Sequence, residues 1–122
     1  MGKVRVLVAN RPRLMRELVL ATIADQPDIE IIGEIGNDSE ITHRVTESKP
    51  DVVIVALDPS SQRPVICDEL LIRCPQVKIL ALAPERNRGI FYWSVAEIHS
   101  AYIESSEEGI LNALRGKAHL VV

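Results

Sequence analysis

The segment DVVIVAL, residues 51–57, restricts the possible folds of this chain more than any other stretch of its sequence. Asp51 is followed by six apolar residues, four of them β-branched. Such a run is typical of a strand buried on both faces, as in parallel sheets, whereas a half-exposed strand alternates apolar and polar residues. The segment therefore predicts a central strand with helices on both sides of its sheet.

Short apolar runs alternate with segments of helical periodicity along the rest of the chain. Alternating strands and helices predict right-handed βαβ units, and hence an α/β fold with a doubly wound, five-stranded parallel sheet. We expect one domain over residues 1–116 and a tail, or the start of a linker, over residues 117–122. The expected strands are residues 3–9, 29–35, 51–57, 77–83 and 101–103. Three expected helices are residues 13–24, 64–74 and 86–98. Two further helices are expected, one that Asn37 and Glu40 cap and that ends before Pro50, and one that Ser105 and Glu108 cap.

The composition is that of an ordinary globular protein, with 47% hydrophobic and 25% charged residues among 122. The net charge of -3 argues against nucleic-acid binding. No apolar run approaches the roughly 20 residues that span a bilayer. Cys67 and Cys74 would lie about two turns apart on one helix, too far apart for a disulfide. We therefore expect a cytoplasmic protein without a membrane segment, a metal site or a cofactor.

Four phrases of the sequence resemble a response-regulator receiver domain, in particular the LuxR-type receivers of bacterial two-component systems. They are VRVLVANRPRLMREL, PDIEIIGEIGNDSE, KPDVVIVAL and KILALAPE, and the likeness extends over about residues 3–116. The resemblance implies a flavodoxin-like (CheY-like) sheet of strand order 2-1-3-4-5. It also implies a functional site at the carboxyl ends of the strands.

The resemblance assigns a role to five positions, and this chain departs from the family's pattern at each. Two acidic residues hold Mg²⁺ after the first strand of the family; Asn10 and Arg11 stand there. The phosphoacceptor aspartate corresponds to Ala56, and the threonine or serine that binds the phosphoryl group corresponds to Ala83. The family's lysine corresponds to Glu104. These replacements predict a degenerate phosphorylation site, without a nucleophile and without carboxylates to hold Mg²⁺.

Three hypotheses follow for the altered site. Arg11 and Glu104 carry opposite charges on strand ends, so they are expected to pair across the vacated pocket. Asp58, just beyond the third strand, is the one candidate for a displaced phosphoacceptor, although Asp-Pro-Ser-Ser is also ordinary turn chemistry. The third hypothesis is that a small ligand binds in the space left by Ala56 and Ala83.

The aromatic residues all lie in the predicted fourth helix or fifth strand. The four consecutive large apolar residues from Ile90 to Trp93 would span about 300° of a helix, so at least one of them is expected to be exposed. In receivers, the face formed by helix four, strand five and helix five serves output and dimerisation. The residues expected at this interaction surface are Phe91, Tyr92, Trp93 and Tyr102.

The sequence therefore predicts an atypical receiver, or pseudo-receiver, that binds a protein partner or a second copy of itself without phosphorylation. It shows no nucleophile–base pair, so we expect no catalytic residues and no enzymatic activity. LuxR-type receivers precede a helix-turn-helix domain. Nothing in this sequence encodes one: either the protein stands alone or an output domain lies outside this sequence, and no direct contact of this chain with nucleic acid is expected.

Overall fold

The computed structural model describes residues 3–57, 63–84, 87–94 and 98–115, which form one α/β sheet structure with helices on both faces. The tail predicted at residues 117–122 lies outside the described residues. The strands are β1 (Val4–Ala9), β2 (Ile29–Glu34), β3 (Val52–Ala56), β4 (Lys78–Ala83), β5 (Arg88–Ser94) and β6 (Ile98–Ile103), and the helices are α1 (Arg13–Ile23), α2 (Ile41–Ser48, after a 3-10 turn at Asp38–Glu40), α3 (Val65–Arg73) and α4 (Glu107–Leu114).

The sheet has the order β2-β1-β3-β4-β5-β6. The first four strands are parallel, with β1 between β2 and β3, and β4 beyond β3. The α/β class and the 2-1-3-4 order of the parallel strands are as predicted. The far end of the sheet differs, because β5 and β6 form an antiparallel hairpin next to β4.

The helix predicted at residues 86–98 is wrong, and with it the five-stranded, all-parallel sheet. A turn reverses the chain directly after β4: the amide of Asn87 donates to the carbonyl oxygen of Pro84 at 3.1 Å, and Asn87 has a positive φ of 50°. The segment that follows is bulky and aromatic, a composition that favours strands. Because strand side chains alternate between faces, Ile90 and Tyr92 enter one core layer and Phe91 the other, which no single helix face allows.

The core consists of two layers separated by the sheet. The side chains of β3 are buried on both faces, as the segment DVVIVAL predicts: Val53 and Val55 pack on one face, and Val52 and Ile54 pack on the other. Helices α2 and α3 cover the first face, while α1 and α4 cover the second. None of the helices within the described ranges is long and apolar enough to cross a membrane.

The helix caps agree with the sequence in kind but not at every position. The side chain of Asn37 caps the 3-10 turn before α2 by accepting from the Ser39 amide at 3.1 Å. The cap of α4 is Ser106 and not the predicted Ser105, since the Ser106 hydroxyl accepts from the Gly109 amide at 3.1 Å. A Cβ atom at Gly109 would overlap the carbonyl oxygen of Glu104, so only glycine fits this turn.

Gly89 is where the hairpin packs most closely. A Cβ atom there would lie 2.8 Å from Cδ2 of Leu82 and 2.9 Å from Cγ1 of Ile103. We expect Gly89→Ala to lower the free energy of unfolding by about 1–3 kcal/mol, because the packed side chains of Leu82 and Ile103 must shift to make room for the added methyl group. Urea unfolding followed by circular dichroism measures this. The control is Gly36→Ala, where the nearest atom is Nη1 of Arg16 at 3.8 Å; an equal loss in both variants would contradict the packing argument.

Candidate functional site

The carboxyl ends of three parallel strands meet at one edge of the sheet and bring Asn10, Ala56 and Ala83 near each other. Asn10 directly follows β1, while Ala56 and Ala83 are the last residues of β3 and β4. This is the edge at which ligands bind in open α/β sheets. Three of the five predicted positions therefore lie at one edge of the sheet.

Asn10 is the central group of this site. It is fully buried, and its side-chain amide donates to the carbonyl oxygens of Val55 at 3.2 Å and Leu82 at 3.3 Å. These bonds tie the end of β1 to the ends of β3 and β4. The Oδ1 atom is also buried and has no hydrogen-bond partner among the described residues. The site thus presents a neutral donor to the sheet where the family resemblance expects a carboxylate.

Arg16 adds a second anchor that the sequence reasoning did not identify. Its side chain is only 15% exposed and extends from α1 to the strand ends. Its Nε lies 3.2 Å from Oε1 of Glu34, and its Nη1 donates to the carbonyl oxygen of Asn10 at 3.4 Å. The available signal was its helical position, three residues before Val19, which places it on the side of α1 that faces the sheet.

Arg11 does not pair with Glu104, so that prediction is wrong. Its Nη2 lies 3.0 Å from Oδ2 of Asp38, at the turn that follows β2. The strand order explains the choice of partner: β2 is adjacent to β1, whereas β6 lies four strands away, about 19 Å at the usual strand spacing. Both side chains are about half exposed, so the pair contributes about 0–1 kcal/mol.

The ends of β3 and β4 supply only methyl groups. Ala83 is buried and Ala56 is partly buried, and neither side chain has an oxygen that could accept or bind a phosphoryl group. Next to Ala83, at the paired position, lies Arg88, whose exposed side chain begins β5. An antiparallel strand therefore occupies the place beside β4. Asp58, the candidate for a displaced acceptor, lies outside the described residues.

Glu104 belongs to a different part of the surface. It follows β6 and lines an open cavity of about 320 Å³ at the start of α4. Because β5 lies between β4 and β6, Glu104 is one strand farther from Ala83 than a five-stranded order would place it. The other lining residues are Ile103, Ser106, Glu108, Gly109 and Asn112.

The predicted aromatic surface is wrong for two of its residues. Phe91 and Tyr92 are buried core residues, packed on opposite faces of the sheet. Tyr102, in contrast, has 75% of its surface exposed. The side chain of Trp93 lies outside the described residues. The expectation that one residue of the run from Ile90 to Trp93 is exposed fails for Ile90, Phe91 and Tyr92 and is untested for Trp93.

Two ionisable groups in the core have strongly raised pKa values. Burial, reinforced by the negative charge of Asp68, raises the pKa of the Cys67 thiol to about 12. Burial likewise raises the pKa of Tyr92 to about 12, with Cys67 as the next contribution. Both groups stay neutral at physiological pH, so neither is a ready nucleophile. In the described part of the chain, no three His, Cys, Asp or Glu side chains group so that they could hold a metal ion.

Comparison with known proteins gives several relatives and no matching protein-family model. The chain is 36% identical over 58 residues to a protein-glutamate methylesterase/protein-glutamine glutaminase of Caulobacter vibrioides, covering 48% of this chain and 17% of that protein. It is 26% identical over 80 residues to the DNA-binding transcriptional activator DevR/DosR of Mycobacterium tuberculosis, covering 65% of this chain and 37% of that protein. The chain thus spans well under two thirds of the length of these relatives.

Among solved structures, the chain resembles the response regulator domain of Thermotoga maritima CheB. The TM-score is 0.52 and the sequence identity 23%, over 63% of this chain and 57% of the other. At this level of sequence identity, the similarity shows a shared fold and nothing further.

Proposed function

We propose that this chain is a receiver domain that signals without phosphorylation at the strand ends around Asn10. The fold and the relatives support a response-regulator receiver domain of the CheY-like type. It acts as a regulatory module that binds a protein partner, rather than as an enzyme. Its assignment to the LuxR-type receivers of bacteria, and a cytoplasmic setting, belong to the same proposal.

The observation that carries the proposal is the hydrogen bonding of Asn10. Phosphoryl transfer to a receiver requires oxygen anions that hold Mg²⁺ and a carboxylate that attacks. Here the side chain at the end of β1 uses its donor atoms on the carbonyl oxygens of Val55 and Leu82. The position of the attacking carboxylate is Ala56, and a guanidinium at Arg16 bonds the backbone of Asn10.

The electrostatic balance of the site points the same way. Among the described residues, Glu34 and Asp38 are acids near the end of β1, and each is paired with an arginine, Arg16 and Arg11 respectively. A divalent cation entering here would meet two guanidinium groups and would have to break ion pairs to gain carboxylate ligands. We infer that Mg²⁺ binds this site poorly, which removes the usual means of neutralising a phosphoryl donor.

Intact-mass spectrometry after incubation with acetyl phosphate and Mg²⁺ tests the proposal. We expect no phosphoryl adduct on the parent protein. Asp58→Ala is measured beside it, because Asp58 is the alternative acceptor. An adduct on the parent that disappears in Asp58→Ala would overturn the proposal and move the phosphoacceptor beyond β3.

A further inference from the structure

Strand β6 forms the last strand of the sheet. It pairs with β5 through six consecutive residue pairs, from Gly89 with Ile103 to Ser94 with Ile98. No other strand in the described ranges pairs with its outer side. No described strand uses the backbone amide and carbonyl groups on that side, and at a sheet edge such groups can pair with a further strand.

This edge lacks the features by which proteins usually prevent edge pairing. Charged side chains, prolines and bulges protect exposed strands from pairing with other chains. The β6 sequence IHSAYI contains no Lys, Arg, Asp, Glu or Pro. Its register with β5 is unbroken over all six pairs, so β6 is regular along its length. Nothing in the strand itself opposes the addition of a further strand.

One face of β6 also extends beyond the helices that cover the sheet. On the α3 side, the β5 residues Ile90 and Tyr92 are buried, yet their cross-strand partners Tyr102 and Ser100 are exposed. The helix expected at residues 86–98 would have covered this region. Because that segment is a strand instead, Tyr102 keeps 75% of its surface in water, next to the open edge.

We propose that β6 pairs antiparallel with β6 of a second copy of this chain, which joins the two sheets into one. A two-fold axis perpendicular to the sheet keeps each face on its own side, so residues pair within one face. When the axis passes through Ala101, Tyr102 of each copy lies opposite Ser100 of the other. The two Tyr102 side chains are then diagonal neighbours, about 7–8 Å apart at Cα and within reach of each other.

A second copy fits this edge for two reasons. Self-pairing places charged residues near the axis close to their own copies, but β6 has no Lys, Arg, Asp or Glu between Ile98 and Ile103, and His99 lies opposite Ile103 of the other copy, so no like charges face each other there. Self-pairing also covers both exposed tyrosines at once. A foreign strand would need a matching aromatic to achieve the same.

The expected association is weak and reversible. Six residues extend about 20 Å along a strand. This edge alone buries less than the roughly 1,200 Å² of a standard stable interface. Each tyrosine adds up to about 150–250 Å² if fully covered. The dimer should therefore form at high protein concentration and dissociate on dilution.

Sedimentation velocity of the full chain tests the proposal. Protein concentrations from about 10 µM to about 1 mM cover the dissociation constants expected for a small interface. We expect the parent to shift from monomer toward dimer, and the Ser100→Lys, Tyr102→Lys double variant to stay monomeric throughout. Both substituted side chains are exposed, so the fold should persist; the single variant Ser100→Lys provides a milder second test. The control is Leu14→Lys, which also replaces an exposed side chain, 62% in water, but on α1.

Hydrogen exchange of the β6 amides at low and high concentration locates the contact. Protection of residues 98–103 that increases with concentration supports the proposal. A parent that stays monomeric overturns it, and so does a dimer that the lysine variants leave intact. The inference relies on the proposed function for its role in signalling and not for its geometry: a phosphoryl adduct would refute that function alone, and a monomer would refute this inference alone.

Discussion

Replacing Asn10 by aspartate is expected to lower the free energy of unfolding at pH 7 by up to about 5–7 kcal/mol, although the two side chains have nearly the same shape. Asn10 is fully buried, and its amide nitrogen bonds the carbonyl oxygens of Val55 and Leu82. A carboxylate would direct a negative oxygen at the same two acceptors. The lost hydrogen bonds cost about 1–3 kcal/mol. Keeping the acid protonated up to pH 7 costs up to about 4 kcal/mol more, at 1.36 kcal/mol for each pH unit.

The dependence on pH distinguishes this effect from a simple loss of packing. Burial beside two carbonyl oxygens raises the folded pKa of the introduced carboxyl above its unfolded value of about 3.9. The ionisation part of its cost is therefore absent below about pH 4 and increases as the pH rises toward the folded pKa, while the cost of the lost hydrogen bonds remains at every pH. The control Asn10→Ala loses the same hydrogen bonds without adding a charge, so its deficit should be nearly constant between pH 4 and pH 8.

Urea unfolding of the parent and both variants at several pH values measures these differences. A constant deficit for Asn10→Asp would show that the carboxylate finds a donor, with Arg16 the nearest candidate. Recovery of its stability on addition of Mg²⁺ would be more consequential, because one substitution would then have restored a metal site. That result would contradict the electrostatic argument of the proposed function.

The central part of the fold could be predicted because its apolar residues indicate directly that they are buried. In the run from Val52 to Val55 every side chain is buried, on alternating faces, and such a run has one common structural solution. Strand order followed from the alternation of strands and helices together with the family resemblance. The positions of Asn10, Ala56 and Ala83 at one edge followed from that order.

The hairpin could not be predicted with the same certainty, because the segment from Ile90 to Trp93 is apolar at every position. Such a run has no period, so it fits a buried strand as well as a buried helix. The deciding feature is local: the turn from Pro84 to Asn87 returns the chain beside β4 before a crossover helix can begin. The pattern Pro-x-x-Asn before a run of strand-forming residues was the available signal.

The ion pair of Arg11 depended on which strands are adjacent. A sequence shows which charges exist, but their partners are set by the strand order. Asp38 follows β2, the neighbour of β1, whereas Glu104 follows β6 at the opposite edge of the sheet, so Arg11 pairs with Asp38.

The second large effect expected is a loss of stability at alkaline pH. Burial raises the pKa of the Cys67 thiol from 9.0 to about 12, and that of the Tyr92 phenol from 10.0 to about 12. Both acids are neutral in the folded and unfolded states well below pH 9, so they have no differential effect there. Above pH 9 the unfolded chain releases these protons and the folded chain retains them, which favours unfolding. Between pH 9 and pH 11 we expect a loss of about 3–4 kcal/mol, most of it from Cys67.

Urea unfolding from pH 7 to pH 11 tests this expectation, with variants that separate the two groups. Cys67→Ala creates a small cavity and is less stable at every pH. Its further loss between pH 9 and pH 11 should nevertheless be only about a third of the parent's, because the thiol no longer titrates. Tyr92→Phe should remove the smaller share, whereas Tyr102→Phe, which removes an exposed phenol, is the matched control. If Cys67→Ala loses as much stability as the parent over this range, the buried thiol is not the origin of the alkaline transition. Rapid alkylation of Cys67 in the native protein at pH 8.5 would lead to the same conclusion, since a thiol with a pKa of about 12 holds almost no thiolate there.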